Sequence, residues 1–115
     1  MLSRIPSSRL SAFIVWVPQL FGTQPDAVRA SRLIDDARTV HYWDGSDVTG
    51  IEFGRVLPTP SAAWDVYLLY PPGIRWTGQL PPRPAYWMQQ LGLTNAPYLD
   101  TATLAGQIRR LLAQR

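Results

Sequence analysis

Residues 64–70, Trp-Asp-Val-Tyr-Leu-Leu-Tyr, form the longest β-favouring run in the chain. Trp64, Val66, Leu68 and Tyr70 fall on one alternating face, Tyr67 and Leu69 on the other, so large apolar side chains occupy both. A strand with one solvated face alternates apolar with polar; this pattern predicts a central strand covered on both sides. Asp65 is the exception, a carboxylate at or near the start of a strand expected to be buried. Pro71-Pro72-Gly73 predicts a turn, with Pro72 presetting φ and Gly73 taking the positive φ of a type II turn. Ile74-Arg75-Trp76 is then expected to return as an antiparallel partner.

The remaining pattern places the other elements around that hairpin. Met1–Arg9 is polar and basic, a flexible lead-in. Leu10–Val17 is a short apolar run following two arginines, the outline of an export signal. Pro18 closes it and no small-x-small cleavage site follows, while Ala12–Val17 is rich in β-branched and aromatic types, so it is assigned as the first core strand. Thr23-Gln24-Pro25-Asp26 has the form of a helix start, with Thr23 as cap and Asp26 three residues on. Ala27, Ala30, Leu33, Ile34 and Ala37 continue at helical spacing, with Arg29, Arg32, Asp35 and Asp36 largely opposite. Thr39–Trp43 is the second strand, stopped by Asp44-Gly45. Residues 47–57 predict a weak helix, because Gly50 and Gly54 each cost about 1 kcal/mol in a helix interior. Pro58–Ser61 and Gly78–Pro84 are loops. Ala85–Leu91 is a short helix or turn ended by Gly92. Asp100 caps the last helix, whose Leu104, Ile108, Leu111 and Leu112 share a face and whose Arg109, Arg110 and Arg115 lie near its negative end. The expected order is β-α-β-(α)-β-β-α in one α/β domain spanning 1–115, with a mixed four-stranded sheet and helices on its faces.

Composition removes whole classes of chemistry. The chain has 115 residues, no cysteine and a formal net charge of +3. Without sulfur there is no disulfide, no thiolate nucleophile and no thiolate metal site. Lysine is absent too, so all eleven basic residues are arginine, which genomic base bias accounts for as well as function does. Only Arg109 and Arg110 are adjacent. Scattered cations do not make the clustered stripe of a specific nucleic-acid site. No apolar run reaches the roughly 20 residues of a membrane span. The expected location is cytoplasmic, with export of the chain as the alternative if Leu10–Val17 is a signal.

Several stretches resemble an uncharacterised bacterial family of thioredoxin-like proteins: Val15-Trp16-Val17-Pro18, Tyr42-Trp43-Asp44-Gly45, Ala63–Tyr70, Pro71-Pro72-Gly73 and Pro84–Leu91. The resemblance spans roughly residues 12–112 and implies the minimal thioredoxin fold, beginning directly at the first core strand. It also implies a working edge where Pro18–Gln24, Asp44, Ser61–Asp65 and Trp87 converge. Thioredoxins carry Cys-x-x-Cys there, whereas this chain has Pro18-Gln19-Leu20-Phe21-Gly22. Dithiol chemistry is therefore excluded. Thioredoxins also place a cis-proline before the third core strand; Pro58 and Pro60 are the candidates, although Trp64-Asp65 occupies the nearer position.

The candidate residues follow from that edge. Pro18, Gln19, Thr23, Trp43, Asp44, Trp64, Asp65 and Trp87 form the expected binding set, in a redox-inactive domain with a binding or accessory role toward a protein partner or a second copy. The alternative is a small enzyme of non-thiol chemistry using Asp65 with or without His41. A buried Asp65 must be paired, for instance with Arg75, or carry a raised pKa. His41, mid-strand between Val40 and Tyr42, has the setting of a satisfied structural histidine. A metal site on His41, Asp44 and Asp65 lacks ligand spacing, and no cofactor motif is present. Ser61, His41 and Asp65 can be written as a triad, but no nucleophile elbow surrounds Ser61.

Overall fold

The computed structural model describes residues 2–19, 22–59 and 61–114. Among these residues it is a mixed α/β chain with two small sheets and three α-helices, and it divides in sequence into two compact units, the first ending at Thr49 and the second starting at Gly50. Pro60 and Arg115, and the Leu20-Phe21 part of the first loop, lie outside the described residues.

The first unit is a βαβ element. Strand β1 (Ala12–Trp16) and strand β2 (Thr39–Trp43) pair in parallel, with Ile14 opposite His41 and Trp16 opposite Trp43. Helix α1 (Gln24–Ser31) connects them. It starts as the sequence pattern requires: the Thr23 hydroxyl accepts from the Asp26 N–H and the Asp26 carboxylate accepts from the Thr23 N–H, a reciprocal capping box. It stops six residues short of Ala37. Asp36 turns its carboxylate back onto the Arg38 N–H and guanidinium, a local bond that competes with helix, and Leu33 is left 86% exposed. Arg38 in turn donates to the carbonyls of Leu2, Ile5 and Ser7. The lead-in is thereby tied to the start of β2: Leu2–Arg4 forms a 3₁₀ turn and Ile5 is 2% exposed.

On β1 and β2 burial alternates. The even positions of β1 and odd positions of β2 are half-buried, while Phe13, Val15, Val40 and Tyr42 are exposed on the other face, in register as two pairs. Parallel strands are ordinarily covered on both faces, so an uncharged exposed block of this kind is unusual.

The second unit begins within helix α2 (Val48–Val56). The expected weak helix is present, and its glycines have a reason the pattern did not show. A Cβ on Gly54 would stand 2.6 Å from the Ser61 carbonyl oxygen, and the Ala63 N–H donates to the Gly50 carbonyl at 2.8 Å. Residues 61–63 thus lie directly against the helix backbone.

Strand β3 (Val66–Leu69) is shorter than expected and its partner is different. It pairs antiparallel with β4 (Tyr86–Gln89), Leu68 opposite Trp87, and not with Ile74-Arg75-Trp76. The hairpin expectation is corrected: residues 72–80 are exposed loop, with the Trp76 indole N–H bonded to the Gly78 carbonyl and its ring edge-on to Phe53. The short helix or turn expected at 85–91 is corrected to strand β4; seven residues carry too few periods to separate helix from strand. The described strands thus form two two-stranded sheets rather than one of four. Helix α3 (Thr101–Ala113) follows Asp100, whose carboxylate accepts from the Ala102 N–H, and buries Leu104, Ala105 and Ile108. Met88, Val56, Leu57 and Ala63 complete the buried apolar set of this unit. Pro58 is trans, since no described peptide bond is cis.

Candidate functional site

The carboxyl ends of parallel strands and the amino end of the helix between them form the usual ligand crevice of an open α/β unit. In the first unit that crevice is an open cavity of about 200 Å³. Its walls are apolar: Trp16 and Trp43, register partners at the ends of β1 and β2, with Val17 and with Ala27 and Ala30 of α1. Gln19, Gly22, Thr23 and Asp26 supply the polar margin.

The Trp16 ring is held by His41. The indole N–H donates to His41 Nδ1 at 3.0 Å, with ring centroids 6.1 Å apart and planes 12° from parallel. An indole nitrogen can only donate, so Nδ1 is the acceptor and the ring proton sits on Nε2, 3.3 Å from the Ile34 carbonyl oxygen. The bond is made by the indole N–H, with the two ring planes nearly parallel.

Three carboxylates surround the strand ends. Asp26 is held below the usual carboxylate range, first by the Thr23 hydroxyl and N–H and then by Arg29, against some desolvation. Burial works to raise Asp44, but bonds from the Thr49 hydroxyl and from the Thr49, Val48 and Ser46 N–H groups outweigh it, and its pKa falls. Asp47, in the left-handed region at φ 53°, accepts from the Gln19 amide at 2.7 Å, while its Oδ1 is buried with no partner among the described residues. Of these three acids only Asp26 makes an ion pair among the described residues, with Arg29. The edge carries net negative charge.

No protein-family model, curated protein or solved structure matches this chain. The reading of its site rests on the geometry alone.

Of the expected binding set, the structure brings Gln19, Thr23 and Trp43 together around the cavity. Asp44 stands at the same strand ends, its N–H bonded to the Trp16 carbonyl, but its carboxylate is engaged in starting α2. Pro18 follows β1 and is half-buried. Trp64, Asp65 and Trp87 belong to the second unit. Trp64 precedes β3 and Trp87 lies within β4, both half-buried. The expectation of a buried, paired Asp65 is corrected: it is exposed, sits at φ 50° before β3 begins, and makes no ion pair among the described residues. The left-handed turn there re-aims the chain, which delays the strand to Val66.

The expected binding set does not include Trp16 or Asp26. The capping-box spacing that places Asp26 on the first turn also places it at the cavity mouth, so the signal was present. A larger hollow of about 440 Å³ lies beyond the far end of α1, where Arg32, Asp35 and Asp36 contribute mixed charge and His41 also lines the wall. Asp36 is taken there by Arg38, and both nitrogens of His41 are bonded. Among the described residues no group of three or more metal-ligating side chains is placed to hold an ion. No helix among them is long and apolar enough to cross a membrane.

Proposed function

We propose that this is a redox-inactive, thioredoxin-like binding domain that takes a small ligand at the carboxyl ends of β1 and β2. The observation that carries this reading is the cavity walled by Trp16 and Trp43 where α1 begins. At about 200 Å³ it is below the roughly 300–1,000 Å³ of pockets for drug-sized molecules, so the ligand is small. The order β1-α1-β2-α2-β3-β4-α3 supports the thioredoxin-like part, and the sulfur-free loop after β1 makes the role one of binding. Against catalysis stand His41, held by Trp16 and Ile34, and Asp65, exposed and without an ion pair among the described residues. The test is a screen of fragment-sized compounds followed on the five indole N–H signals by two-dimensional NMR. Saturable shifts at Trp16 and Trp43 are expected. Fragments that move only the signals of Trp64, Trp76 or Trp87 would refute the site.

A second reading, self-association, is favoured by one observation: the uncharged block of Phe13, Val15, Val40 and Tyr42 is 40–67% exposed. Two such faces meet without opposing like charges, and an isologous dimer needs only one self-complementary patch. Sedimentation of the native chain and of Tyr42→Asp separates the cases. A concentration-dependent dimer lost in the variant supports it, and a monomer at every concentration refutes it.

A further inference from the structure

Resting on the ligand-binding reading above, we infer that the cavity selects a small organic cation, a quaternary ammonium group, over anions and neutral molecules of the same shape. The walls are two indoles, a valine and two alanines, and among the described lining residues the charged side chain is the Asp26 carboxylate, with no arginine. Indole faces attract a cation through the ring quadrupole, more strongly once it is desolvated. Trp16 and Trp43 both line the cavity, and the bond to His41 engages the Trp16 indole N–H.

Charge decides between ligand classes. The amino end of a helix ordinarily favours an anion. Here that position is already filled by the chain's own acid, since Asp26 accepts from the Thr23 N–H and hydroxyl and is held ionised. An incoming phosphate or carboxylate would meet Asp26 at the mouth, with Asp44 and Asp47 near the same strand ends. The Arg29–Asp26 pair does not close the site to a cation: its side chains are 67% and 49% exposed, and a surface pair of that kind is worth little. A methylated ammonium also suits apolar walls, because it asks for no hydrogen bonds that Ala27, Ala30 and the indoles could not supply.

The probes are tetramethylammonium chloride, with sodium chloride at equal ionic strength as blank, and 3,3-dimethylbutan-1-ol, a neutral analogue of choline. Each is titrated against the whole chain while the Trp16 and Trp43 indole N–H signals are followed. The ammonium ion is expected to bind saturably and about tenfold or more tighter than the alcohol, as a desolvated cation–π contact allows. Asp26→Asn, which keeps an acceptor for Thr23, and Trp43→Leu, which keeps an apolar wall, are each expected to weaken the ammonium about fivefold or more and to weaken the alcohol by less, so that the ratio between the two probes falls. Asp26 is exposed, so its variant keeps the test sound even if Trp43→Leu fails to fold. Equal binding of alcohol and ammonium, indifferent to Asp26→Asn, overturns the cation inference while the cavity stands as a binding site. If neither probe moves either signal while other fragments do, the inference again falls alone; if nothing moves them, the binding reading falls too.

Discussion

Replacing Gln89 with methionine should cost this chain more stability than removing any single apolar side chain from its surface. Gln89 is fully buried, and its amide is saturated by one loop. Nε2 donates to the carbonyls of Leu93 (3.1 Å) and Ala96 (3.0 Å), and Oε1 accepts from the N–H groups of Leu91 (2.7 Å) and Leu93 (3.2 Å). The backbone of Gln89 adds bonds to Pro97 and Leu99. Methionine has nearly the same length and fills the space, so cavity formation contributes little and the loss is the four bonds. At about 1 kcal/mol net each the sum is roughly 4 kcal/mol. About 1 kcal/mol is offset because an apolar side chain is cheaper to bury than an amide, which leaves about 3 kcal/mol. Urea unfolding followed by circular dichroism measures it, as a lower midpoint at unchanged slope. Gln89→Glu sharpens the test: at neutral pH a carboxylate oxygen would face the Leu93 and Ala96 carbonyls, and acidification, which lets the acid donate one bond, should recover part of the loss. A methionine variant within about 1 kcal/mol of the native chain would refute the claim that this amide holds the 91–97 loop.

Two further outcomes follow from particular contacts. Gly54→Ala should destabilise by about 1–2 kcal/mol, since its Cβ would stand 2.6 Å from the Ser61 carbonyl and overpacking exceeds the helix-propensity gain; Gly106→Ala on α3, where nothing lies within 4 Å, should stabilise by about 0.5–1 kcal/mol, and equal effects in urea unfolding would sink the close-approach account. Asp36 is pulled down to about 2, first by the Arg38 guanidinium and N–H bonds, so its contribution is present above the unfolded value near ~3.9 and is lost as pH falls from there through about 2. The amide signals of Ile5 and Ser7, whose carbonyls Arg38 holds, should move in that window by NMR, and in Asp36→Asn they should not.

What could be read from the chain beforehand divides by distance along it. The Thr23–Asp26 box and the Asp100 cap are decided within four residues, and both stand as expected. Strand β2 was bounded correctly because Asp44-Gly45 ends it locally. The partner of β3 was not legible. A turn at Pro71-Pro72-Gly73 is locally sound, but the competing β4 lies across a long connection, and only packing decides between them. Gly50 and Gly54 read as weaknesses of α2 in the local pattern because their benefit comes from residues 61–63 returning against the helix. Gln89 looks like any surface glutamine until the patternless loop after it supplies its four partners.

The candidate site shows the same division in one residue. An alternation that starts the strand at Trp64 buries Asp65, but aspartate is among the few residues that tolerate the left-handed region, which is where it sits. In the sequence Asp26 reads as part of a cap. Yet the requirement that places an acid at the third position of α1 also sets a negative charge beside Trp16 and Trp43, so capping and ligand charge are one feature of the sequence. Asp26→Ala would lose both together. Only asparagine separates them, because it keeps the acceptor for the Thr23 N–H and gives up the charge; a helix that survives that change with the cation preference gone would assign the carboxylate's charge to recognition and its oxygen to the fold.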